Sequence, residues 1–103
     1  MNTEIEHLKR MRELLEKGWT KGVEARDASG NPIHPQSSLA VRFCLRGASI
    51  HAGRGPKRLK SLIAALDEKH ESRAEVWNDK SYRTQADVLA LIDRAIEIAE
   101  AAE

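Results

Sequence analysis

Acidic residues are missing from the middle of this chain. Between Asp27 and Asp67 there is none, while Arg42, Arg46, Arg54, Lys57, Arg58 and Lys60 supply six positive charges. From Asp67 onward the balance reverses to ten acidic residues against five basic ones, so that the net charge is only +1. Opposite fields on one small body favour an oriented encounter with a charged partner; mutual neutralisation within the fold is the equal alternative. Aromatic residues are also scarce, at 4%, which leaves Leu, Ile, Val and Ala to fill the core. With 41% hydrophobic and 32% charged residues, the composition is still globular and excludes disorder. A single cysteine, Cys44, excludes an internal disulfide, and with His34 and His51 it forms no zinc spacing. No apolar run approaches the length of a membrane span and the first ten residues hold no signal-peptide core, so a cytoplasmic protein with no membrane contact is expected. There is no Ser-His-Asp, Cys-His or phosphate-loop pattern, which weighs against an enzyme, and neither cofactor nor metal is expected.

What is present is helical periodicity. Thr3 and Glu6 have capping-box spacing, and Ile5, Leu8, Met11 or Arg12, and Leu15 then recur on one face, with Leu14 widening the stripe and Glu6–Arg10 and Glu13–Lys17 as i, i+4 pairs. Gly18 suits a left-handed cap, and Trp19 reads as a hydrophobic lid over the core. Val23 to Gln36, dense in turn residues, predicts a long ordered loop or a short hairpin, pinned by Arg26 and Asp27. The stretch from Ser38 to Gly53 predicts a central helix capped by Ser37 or Ser38, with Ala40, Val41, Cys44, Leu45, Ala48 and Ala52 inward. Gly53, Gly55 and Pro56 end it. Leu59, Leu62, Ile63 and Leu66 stripe a third helix, whose first turn carries Lys57, Arg58 and Lys60 against the macrodipole. Thr84 and Asp87 cap a last helix with Val88, Leu91, Ile92, Ala95, Ile96 and Ala99 inward. Four helices at 4–17, 38–52, 57–70 and 85–101, with no clear strand run, predict an all-α single helical domain over residues 1–103.

Four motifs carry a resemblance: Gly18-Trp19; Ala25-Arg26-Asp27 with Gly30; Ala40 to Ala48 as Ala-x-x-x-Cys-x-x-Gly-Ala; and Trp77-Asn78-Asp79 ahead of Thr84. In these the chain resembles a family of small, functionally uncharacterised bacterial and phage proteins over nearly its whole length. Phe43 stands where that family tends to have Trp, and Gly53 to Lys60 falls where its members vary most. The resemblance supports the fold and draws attention to Trp19, Arg26, Asp27, Trp77, Asn78 and Asp79 without naming an activity. Those residues have two readings. In one they brace loops and anchor the chain over the core, which is the preferred reading because buried polar groups are normally hydrogen-bonded. In the other, Asp27, Asn78 and Asp79 line a small-ligand or hard-cation site. For the whole protein, the expectation is a small non-enzymatic adaptor or inhibitor with a protein partner, an acidic one if the basic segment is its contact. The alternative is a nucleic-acid binder using Arg42, Arg46, Arg54, Lys57, Arg58 and Lys60, against which stands a pI near 7.9.

Overall fold

The computed structural model describes residues 3–53 and 59–102. Over these the chain runs α1 (Thr3–Lys17), β1 (Ala25–Arg26), β2 (Arg42–Phe43), α2 (Leu45–His51), α3 (Lys60–Asp67), α4 (Ala74–Asn78) and α5 (Gln85–Ala101). The spine is α5, along which both α1 and α3 pack. Its stripe Val88, Leu91, Ile92, Ala95 and Ala99 is buried, as a 3.6-residue period requires, while Ile96 is half-buried against it. Thr84 opens this helix with a complete capping box, its Oγ1 accepting from Asp87 N–H and Asp87 Oδ2 accepting from Thr84 N–H. From α1, Ile5, Leu8, Met11 and Leu15 enter the core, and His7 is buried beside them. Thr3 already lies inside α1, one residue earlier than its expected capping role, and the flanking position lies outside the described residues. The i, i+4 ion pair on α1 is Arg12–Glu16, in place of the Glu6–Arg10 and Glu13–Lys17 pairs that spacing offered. Arg12 also crosses to α5, where its Nε meets Asp93 Oδ1 at 2.6 Å.

The central helix expected over 38–52 is much shorter. Arg42–Phe43 forms β2, antiparallel to β1, with Ala25 opposite Phe43 and Arg26 opposite Arg42. The helix begins only after Cys44, whose Sγ accepts from Gly47 N–H at 3.3 Å in the capping role assigned to Ser37 or Ser38. Ser37 instead closes a turn, accepting from Leu39 N–H. The reason is backbone pairing. Val41 N–H donates to Arg26 O at 2.9 Å, Phe43 N–H to Gly18 O at 3.1 Å and Cys44 N–H to Glu24 O at 3.2 Å, so the strand has a partner on each side. Ile33 N–H reaches Ala25 O on the far side of β1, so of the two forms expected for the 23–36 stretch, a long ordered loop or a short hairpin, the backbone takes the hairpin. The all-α expectation is therefore corrected to a mostly helical fold with a small sheet layer. Ala40, Cys44, Leu45 and Ala48 are buried as expected, but Val41, just ahead of β2, is 45% exposed.

Two glycines make this layer possible. At Gly47 a Cβ would fall well inside contact distance of the Glu24 carbonyl oxygen, and at Gly18 of the Val41 carbonyl oxygen. Gly18 is not in the left-handed region, so close approach rather than a left-handed cap is what it supplies. The third helix is also shorter than the expected 57–70, ending at Asp67; Gly55 and Pro56, expected to end the central helix, lie outside the described residues. Its N-terminus is capped from another element: the Glu4 carboxylate on α1 accepts from Lys60 N–H at 3.0 Å, from Ser61 N–H at 3.3 Å and from the Ser61 hydroxyl. A carboxylate there answers the macrodipole that the neighbouring cations oppose. The short α4 occupies a stretch that carried no helical signal, and Trp77 and Asn78 are its buried residues.

Candidate functional site

Asn78 is 0% exposed, and its side-chain amide has four partners. Its Oδ1 accepts from Trp19 Nε1–H at 2.8 Å and Leu45 N–H at 3.2 Å, while its Nδ2 donates to Thr20 O at 3.1 Å and Asp79 Oδ1 at 3.0 Å. One side chain thus ties the turn after α1, the start of α2 and the end of α4. Asp79 Oδ1 also accepts from Gly22 N–H at 3.0 Å, and Lys21 Nζ donates to Lys80 O at 2.7 Å. Trp19 packs half-buried against the core with Lys21 over its ring. Trp77 is 4% exposed and carries the Arg83 guanidinium 3.7 Å from its ring centroid; Arg83 Nε also donates to Trp77 O at 2.9 Å. A guanidinium at that distance over an indole is attracted to the ring face and shields it from water.

Arg26 and Asp27 do not pair with each other. Arg26 donates through Nε to Thr20 Oγ1 at 2.7 Å, through Nη1 to Gly30 O at 3.0 Å and through Nη2 to Lys21 O at 3.2 Å. Asp27 Oδ1 accepts from Ser29 N–H at 2.9 Å and Asn31 N–H at 3.0 Å, closing the hairpin turn. The structure thus gathers Trp19, Arg26, Asn78 and Asp79 around the turn at residues 19–22, while the Asp27 carboxylate faces its own turn. Among the described residues no group of three or more His, Cys, Asp or Glu side chains is placed to hold a metal ion. Cys44 is buried, and that burial pushes its thiol above the ordinary range, so no nucleophilic thiolate is prepared there.

Of the basic segment, Arg42 and Lys60 are exposed and Arg46 is held by Glu24 at 2.9 Å; Arg54, Lys57 and Arg58 lie outside the described residues. Arg46 stands beside a feature that no motif announced. Between α2, α3 and α4 runs a groove of about 340 Å³ walled by Leu45, Leu59, Leu62, Ile63 and Leu66. Arg46, Arg73 and Glu75 contribute its charged groups, with Arg73 Nη2 on Glu75 Oε1 at 3.0 Å. Ser49 adds a hydroxyl to the wall, and its Oγ lies 3.1 Å from His7 Nε2 behind it. A second, more polar hollow of about 440 Å³ lies between α3, α4 and α5, crossed by the Arg94–Glu68 pair at 2.8 Å. His7 and Ser49 were missed from sequence. The signal was there for His7, which sits one turn before Met11 on the apolar stripe; Ser49 carried none.

This geometry defines a small, mostly helical domain whose polar motif residues knit its loops to its core. The chain belongs to a family of unknown function, DUF6197, whose model matches residues 1–98. No curated protein and no solved structure matches it.

Proposed function

We propose that this chain is a small non-enzymatic protein-binding module, an adaptor or inhibitor, that meets an acidic partner. The observation that carries the reading is the inward engagement of Arg26, Asp27, Asn78 and Asp79 on the chain's own backbone and side chains. With the groups best suited to chemistry holding loops, the surface offers a partner charge and apolar relief. Arg42 and Lys60 stand exposed in the segment that lacks acidic residues. The nucleic-acid reading draws less support, because Arg46 already faces Glu24. Chemical cross-linking in a host extract, with contacts mapped by mass spectrometry, tests the proposal. Cross-links to one protein that converge near Arg42 and Lys60, and that vanish in an Arg42→Glu/Lys60→Glu double variant, are the expected result. Nucleic acid co-purifying at about 150 mM salt, where exposed charges are screened beyond ~8 Å, overturns it in favour of the rival.

A further inference from the structure

We draw no further inference here: the strongest candidate, the groove between α2, α3 and α4 with Ser49 backed by His7 on its wall, has both of its arginines already paired, Arg46 with Glu24 and Arg73 with Glu75, and nothing in the structure shows what covers it.

Discussion

Asn78 shows how much one side chain decides here. Its amide engages Trp19, Leu45, Thr20 and Asp79 at once, so Asn78→Ala leaves buried donors on the indole and on Leu45 without an acceptor. Each such group costs about 1–3 kcal/mol, and the variant is expected to lose ~3 kcal/mol or more in urea denaturation. Trp19→Phe removes the indole N–H and trims a half-buried ring but leaves Asn78 Oδ1 bonded to Leu45, so a smaller loss of ~1–2 kcal/mol is expected there. Equal losses in the two variants would show that the amide is not the shared tie. Gly47→Ala is a sharper test of packing, since even a methyl group collides with the backbone of Glu24; a loss of at least ~3 kcal/mol is expected in the same assay. Cys44, buried and with its thiol raised by that burial, should react with an aromatic disulfide reagent only as fast as the chain unfolds. Rapid labelling of the native protein would contradict its place in the core.

At the scale of elements, ends are closed from outside. Glu4 on α1 caps α3, and Gln85 at the start of α5 donates from Nε2 to Leu15 O at 2.8 Å and Glu16 O at 3.1 Å near the end of α1. Glu4→Ala should therefore destabilise by about 1 kcal/mol, as the loss of a helix cap does, although Glu4 is far in sequence from the helix it closes. The α3–α5 contact carries a pH signature. Hydrogen bonding to Arg94, reinforced by its charge, holds the Glu68 carboxyl below the usual range. A depressed folded-state value means stability that is present above the unfolded value and lost as pH falls through the folded one. Both side chains are exposed, so solvent screening keeps the effect small. The melting-temperature gap between the parent and Glu68→Gln should narrow as pH falls from about 7 to about 3. A gap that widens with acid would place the pair's contribution elsewhere.

For the molecule as a whole, the relevant quantity is the distribution of charge. The acidic residues of α5, Asp87, Asp93, Glu97 and Glu100, share one small body with the acid-free middle segment and repel a polyanion. Weak binding to duplex or single-stranded nucleic acid at about 150 mM salt is the expected outcome, and a log-log salt slope of several units with submicromolar affinity would contradict it. A protein partner with an acidic surface feels the same field mainly in its association rate, which should fall as salt rises.

The sequence by itself determined the helices that own their burial pattern. α5 follows from its stripe and its Thr84–Asp87 box, and α1 from Ile5, Leu8, Met11 and Leu15, because a 3.6-residue period needs no distant information. It also marked Trp19, Arg26, Trp77, Asn78 and Asp79 through the family pattern, though not what they bond. Residues 38–44 were decided by the tertiary structure. Their apolar spacing suits a helix, but strand partners at Gly18, Glu24 and Arg26 satisfy their backbone instead, and such partners are invisible to a local pattern. The α2–α3–α4 groove and the Ser49–His7 contact on its wall arose the same way. They exist only where three short elements, separated along the chain, meet: Asn78 joins α4 to the start of α2, and α3 is held against α5.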